Sequence, residues 1–154
     1  MGWVDALKGQ RVGLDTAPLI YFTEQNGAYL GKVDPFFQAL GNGELQVVTS
    51  VMTLLEVLVR PIRDGNLTLA QTYREFLLNT TDVTIYDVSR EIAEEAARLR
   101  ALYKIRTPDS VQLATAIHEK ATFFLTNDIV LAPLPDIKIL VLDDLKDEGP
   151  NKET

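Results

Sequence analysis

The segment RTPDSVQLATAIHEKATFFLTND, residues 106–128, constrains the fold more than any other part of the chain. Thr107, Pro108 and Asp109 open a helix. Proline's fixed φ suits a first turn, where its missing N–H goes unused, and an acid there meets the positive end of the helix dipole. The helical pattern runs to about residue 120 and gives way to a short apolar strand over 122–125, which empties into Thr126, Asn127 and Asp128. Two carboxylates therefore stand at the ends of elements and not on their faces. In a parallel sheet Asp128 lies at the C-terminal edge, where open α/β sheets bind ligands, and a helix N-terminus carrying Asp109 can face the same edge.

The rest of the chain repeats this grammar. Residues 11–14 form a short strand that delivers Asp15 into Thr16-Ala17-Pro18, after which Leu19 and Ile20 begin a helix. Residues 23–34 are polar and glycine-bearing, which predicts a loop, and 35–40 a helix ended by Gly41-Asn42-Gly43. A second strand is expected over 45–48. From Ser50, the stretch VMTLLEVLVRPIRDG predicts a helix apolar nearly all round and stopped near Pro61, whose nitrogen cannot donate within a helix. Residues 68–79 predict an amphipathic helix, 83–86 a third strand ending at Asp87, 89–103 a long helix and 137–142 a last strand. Strands alternating with helices that cover both faces imply an α/β fold, a three-layer α/β/α sandwich on a mainly parallel sheet. With no repeat and no low-complexity linker, residues 11–143 make one domain. Residues 1–10 precede it as an extension, and residues 144–154 follow as a polar tail expected to be disordered.

Composition removes several functions. Charges interrupt every apolar run, and MGWVDALKGQ lacks the basic and apolar segments of a signal peptide, so a cytoplasmic protein with no membrane partner is expected. The absence of cysteine excludes disulfides, a thiol nucleophile and cysteine-ligated zinc. A net charge of -7 argues against broad electrostatic binding of nucleic acid, although a metal ion held among carboxylates reverses the local sign. Arg98 and Arg100 complement the dipole of the helix over 91–103, with Glu91, Glu94 and Glu95 at its other end. Arg106, beyond that helix, is not explained in this way.

Four acids deserve comparison with their plainer explanations. Asp15 can cap the following helix, Asp109 can serve a helix dipole, Asp128 can be a turn residue, and Glu56 can pair with Arg60 one turn on. Singly, each explanation is adequate. Together they are less so: Asp15, Asp109 and Asp128 share one predicted edge of the sheet, and Glu56 is the odd residue on an apolar helix that starts there. Burying a lone carboxylate is costly unless a cation holds it. Hard cations such as Mg²⁺ take carboxylate oxygens, water and substrate phosphate, and can activate water at a phosphodiester without help from histidine or cysteine. The single histidine, His118, reads as a packing or surface residue.

The blocks LDTAPLIY at 14–21, SVMTLLEVLVRP at 50–61, RTPDSVQLATA at 106–116 and FLTND at 124–128 resemble, in order and spacing, the motifs of the PIN-domain ribonucleases, in particular the VapC-type toxins of toxin–antitoxin modules. The resemblance spans about residues 11–143. It implies an endoribonuclease dependent on Mg²⁺ or Mn²⁺, cleaving RNA by metal-activated water to leave a 5′-phosphate and a 3′-hydroxyl. It also implies a small antitoxin partner and a homodimer. The resemblance maps the family's acidic quartet onto Asp15, Glu56, Asp109 and Asp128 as metal-binding and catalytic residues, with Thr126 and Asn127 as polar helpers. Beside it, Thr16 and Thr126 are expected to hydrogen-bond a ligating carboxylate or the scissile phosphate, and Arg106 to hold a flanking phosphate. The extension that places Asp15 late, and the acidic tail, depart from the family pattern without touching the quartet.

Rival classes fit less well. A response-regulator receiver needs paired acids after the first strand and a lysine after the last, where this chain has a single Asp15 and no lysine directly after Leu142. A haloacid-dehalogenase-type phosphatase needs a second aspartate where Ala17 stands. A catalytically silent PIN-like module that binds metal or RNA is the remaining alternative. Its usual mark is loss of one of the acids, and all four are present.

Overall fold

A computed structural model describes residues 2–128 and 134–146. Five strands, β1 (Arg11–Leu14), β2 (Gln46–Ser50), β3 (Val83–Tyr86), β4 (Phe123–Thr126) and β5 (Lys138–Val141), form one parallel sheet in the order β3-β2-β1-β4-β5. Among the described residues six α-helices lie between the first four strands: α1 (Thr16–Thr23), α2 (Leu30–Gly41), α3 (Val51–Arg63), α4 (Leu67–Asn79), α5 (Arg90–Tyr103) and α6 (Thr107–His118). Side chains alternate across each strand, so the sheet feeds two cores. Val12, Leu14, Val47 and Leu125 pack with α1 to α4 on one face, and Val48 and Phe124 pack with α5 and α6 on the other. This is the expected three-layer α/β/α sandwich.

The chain changes direction across the sheet at β1 and β4, since β1 leads outward to β2 and β3 whereas α5 and α6 carry it back to β4 on the opposite side. Ligands of open α/β sheets gather at the carboxyl ends of the strands at such a switch point. Register fixes the junction: Leu14 pairs with Leu125, and the Asp15 N–H donates to the Leu125 carbonyl at 3.0 Å.

Gly13, in the middle of β1, lets α6 approach this closely. A Cβ there would lie 2.6 Å from the Ala116 Cβ and 2.8 Å from a ring carbon of Phe124. Ala116 belongs to a helix buried from Asp109 through Ala116 and has no room to retreat. Gly13→Ala is therefore expected to destabilise the fold by about 1–3 kcal/mol, the usual cost of overpacking, read as a lower urea midpoint at unchanged m-value.

Several boundaries differ from expectation. The helix expected over 35–40 begins at Leu30, with Pro35 inside it. Proline removes one backbone bond there, but Val33, Phe36, Phe37 and Leu40 bury a continuous apolar face, and tertiary packing outweighs that loss. Likewise α3 does not stop at Pro61: the proline is buried and the helix continues to Arg63. Nor is α3 covered all round, because Leu55, Val59 and Ile62 are exposed. The second and fourth strands run to Ser50 and Thr126, one or two residues beyond the expected ends, and α6 ends at His118.

Residues 3–7 form a 3-10 helix whose Val4 and Leu7 join the α1–α4 core, with Trp3 stacked on Phe36 at 6.2 Å. Of the tail expected over 144–154, residues 147–154 lie outside the described residues; Asp144 closes a short 3-10 turn, Leu142–Asp144, whose Leu142 is buried at the end of the domain. Among the described residues no helix is long and apolar enough to cross a membrane.

Candidate metal centre

Asp15, Glu56, Asp109 and Asp128 line one cavity of about 810 Å³ at the carboxyl end of β1 and β4. Thr16, Arg106, Thr126 and Asn127 line it too. All eight residues singled out in the sequence thus meet in one place, although they come from four separate segments.

Each acid is positioned by a different local device. Asp15 leaves β1 in an extended conformation and caps α1, its carboxylate accepting from the Thr16 N–H at 2.8 Å. The Thr126 hydroxyl, from the end of β4, donates to its other oxygen at 2.6 Å. Glu56, partly buried on α3, accepts from the Thr16 hydroxyl at 2.5 Å instead of pairing with Arg60. Asp109 stands in the first turn of α6, buried together with the helix face behind it. Asp128 follows β4, its N–H donating to the Thr126 hydroxyl at 3.1 Å.

Charge accumulates here beyond what the protein neutralises. Among the described residues no cation pairs with Asp15. Burial pushes its carboxyl up to about 6, against the hydrogen bonds from Thr126 and Thr16, and the charges of Asp109 and Glu56 add to the rise. Burial also raises Asp109, opposed by Arg106 and reinforced by Asp128. The Arg106 guanidinium lies 2.9 Å from Asp109 and 3.5 Å from Asp128, so a positive group already stands between two of the acids.

With the side chains in these positions, no three acids among the described residues are arranged as ligands of one ion. The donor set nevertheless fits a hard divalent cation. It is all oxygen, it carries more negative charge than Arg106 offsets, and Asp109 and Asp128 already bind a cationic group. Asp15, Glu56, Asp109 and Asp128 are the residues that would hold such an ion.

The surroundings contain features that the sequence did not expose. Gln112, on the buried face of α6, donates to the Thr53 hydroxyl, accepts from the Ser50 hydroxyl at 2.9 Å and reaches the Thr16 hydroxyl at 3.4 Å. This buried polar network stands directly behind Thr16 and therefore behind Glu56. Its only sequence signal is a glutamine at a position where the helical period demands an apolar residue. Lys104 lines the cavity from the left-handed turn that ends α5, at φ 58°. Ile20 and Tyr21 supply its apolar wall. Asn127 is tied down at both ends of its amide, donating to the Tyr21 hydroxyl at 3.3 Å and accepting from the Asp143 N–H at 3.0 Å, so it braces the rim.

The other charged residues lie elsewhere. His118 is a surface residue, 3.0 Å from Glu119. Arg98 pairs with Glu95 and Asp136, and Arg100 donates to the Ile105 carbonyl.

The PIN domain family model matches residues 13–136. No curated protein matches the chain. Among solved structures, VapBC2 from Rickettsia felis bound to a DNA fragment from its promoter is similar at a TM-score of 0.65 and 16% identity, covering 85% of this chain and 98% of the other. A toxin–antitoxin complex from Klebsiella pneumoniae is similar at 0.64 and 25% identity, covering 86% and 97%. Mycobacterium tuberculosis VapC20, described as a sarcin-ricin loop cleaving toxin, is similar at 0.61 and 15% identity, covering 91% and 99%.

Proposed function

Because this chain belongs to the PIN domain family, we propose that it is an endoribonuclease dependent on Mg²⁺ or Mn²⁺ and the toxin of a toxin–antitoxin pair, acting in the cytoplasm. The observation that carries this reading is the convergence of Asp15, Glu56, Asp109 and Asp128 on one cavity at the switch point of the sheet. A module that bound RNA alone would gain nothing from four acids kept together at the cost of a carboxyl raised to about 6, and cleavage separates the nuclease from a module that binds metal without cutting.

When bound, the divalent ion supplies water activation and neutralises charge developing at the phosphodiester. The chain's own side chains provide positioning. Thr126 and the Thr16 N–H hold the Asp15 carboxylate in one orientation, and the Thr16 hydroxyl holds Glu56. The Gln112 network fixes Thr16 from behind. Lys104 and Arg106 at the rim offer cations to RNA phosphates, and Tyr21 with Ile20 offers an apolar surface to an unstacked base, which favours single-stranded or loop RNA.

Support for an antitoxin comes from the toxin–antitoxin complexes among the similar structures. On α3, Leu55, Val59 and Ile62 are 59%, 51% and 56% exposed and share one helical face, an apolar surface suited to a partner's amphipathic segment. A homodimer is proposed on family resemblance.

Incubation of the protein with a mixed RNA pool tests the activity. Fragments ending in 5′-phosphate and 3′-hydroxyl are expected with Mg²⁺, and none with a chelator or with Asp109→Asn. Cleavage that persists in the chelator would remove the mechanism.

A further inference from the structure

Arg106 stands at the N-cap position of α6 with its side chain 77% exposed. Its Nε and Nη2 both donate to the same Asp109 oxygen, at 3.1 and 2.9 Å, and Nη2 lies 3.5 Å from Asp128 Oδ2. On the opposite wall, the donors to Asp15 and Glu56 are hydroxyls and a backbone amide. One solvent-reachable guanidinium therefore bridges Asp109 and Asp128 on the α6 side of the cavity. A guanidinium and a hard divalent ion seek the same carboxylate oxygens, and Asp109 Oδ2 cannot serve both at full strength.

We propose that Arg106 is an internal counterion that competes with the divalent ion for Asp109 and Asp128, and that on metal binding it turns outward to hold an RNA phosphate next to the scissile one. The inference rests on the metal-dependent reading above and adds an order of events to it. Three features make the exchange workable. An ion pair with one partner so exposed is weak, so it releases readily when a divalent charge arrives. The planar fork of arginine matches two oxygens of a phosphate as well as those of a carboxylate, so the released group has a destination. Lys104 already lines the same rim, so a phosphate meets two cations there once Arg106 has moved. In the absence of metal the same pair protects the acids from their mutual repulsion. Binding of metal and of RNA then favour each other, and by linkage the factor is the same in both directions.

Calorimetric titration of Mn²⁺ into the RNA-free protein separates the possibilities. Arg106→Gln removes the competitor and is expected to bind Mn²⁺ about twofold to fivefold more tightly than wild type, the range of an exposed ion pair. Arg106→Lys, which keeps the charge, is expected to stay close to wild type. With Mn²⁺ saturating, Arg106→Gln should raise KM for RNA by a similar factor, with kcat falling by less than KM rises. In the wild type, the arginine Nε–H resonance of Arg106 should be protected from exchange in the metal-free protein and lose that protection on addition of Mg²⁺. Equal or weaker Mn²⁺ binding by Arg106→Gln, with wild type binding normally, overturns the competition and leaves the nuclease reading standing. Tighter Mn²⁺ binding with an unchanged KM overturns the transfer to RNA. A wild type that binds no Mn²⁺ overturns the metal-dependent reading and this inference together.

Discussion

Asp15→Asn is expected to abolish RNA cleavage while making the metal-free protein more stable at neutral pH. The loss of activity should exceed about 100-fold, the upper end of what removal of an outer partner of a metal site costs, because Asp15 is placed to touch the ion itself. The gain in stability follows from burial. The Asp15 carboxyl titrates at about 6 in the fold, against 3.8 for an unconstrained aspartate. Below 3.8 both folded and unfolded chains carry the proton, and the group costs nothing. Between the two values the unfolded chain releases its proton and the folded chain keeps it, so stability falls as pH rises. Above about 6 the penalty is complete, and a difference of about 2 units corresponds to about 3 kcal/mol. Asparagine carries no charge to desolvate, caps helices as well as aspartate does, and still offers an oxygen to the Thr16 N–H. Urea unfolding in a chelator should therefore show wild type losing up to about 3 kcal/mol between about pH 4 and pH 7 relative to the variant. Identical pH profiles for the two proteins would show that Asp15 carries no such penalty.

Most of this site was legible in the sequence because its geometry follows from topology. Asp15 and Asp128 end adjacent parallel strands, and a parallel sheet puts all strand ends on one edge, so spacing along the chain was enough to bring them together. Asp109 followed from the Thr-Pro-Asp helix opening, and Glu56 from being the only acid on an apolar helix. What stayed hidden depended on side-chain packing. Proline at position 35 argued for a helix start, and the structure buries the aromatic face around it instead, a choice made by Trp3, Phe22 and Phe76 arriving from elsewhere in the chain. The apolar run of α3 carried no mark of which positions neighbouring elements would leave uncovered. The pairing of Arg106 with Asp128 spans 22 residues and two elements, and no local pattern encodes it. Gln112 was visible only as an exception, and its three partners lie on β2, α1 and α3.

A divalent cation is expected to return the stability that the buried acids remove, and to do so only where they are ionised. An ion that binds the folded chain alone adds about 2.7 kcal/mol at a concentration 100 times its dissociation constant, which in a domain of this size raises Tm by about 5–10 °C. The ligands must lose their protons to bind, so the shift depends on pH with a sign fixed by the raised carboxyls of Asp15 and Asp109. At about pH 7 the Asp15 carboxyl is ionised in the fold and bears its full burial penalty, and Mn²⁺ should give the full shift. Near pH 4 the Asp15 proton is retained in the fold, and the same Mn²⁺ concentration should move Tm by less than about 2 °C. Thermal scans of wild type with Mn²⁺ and with chelator, at both pH values, check this directly, and Asp15→Asn should show little shift at either. A shift of the same size at both pH values would place the ion away from these carboxylates. The cavity would then owe its charge to something other than metal binding, and the case for hydrolysis at this edge of the sheet would fall with it.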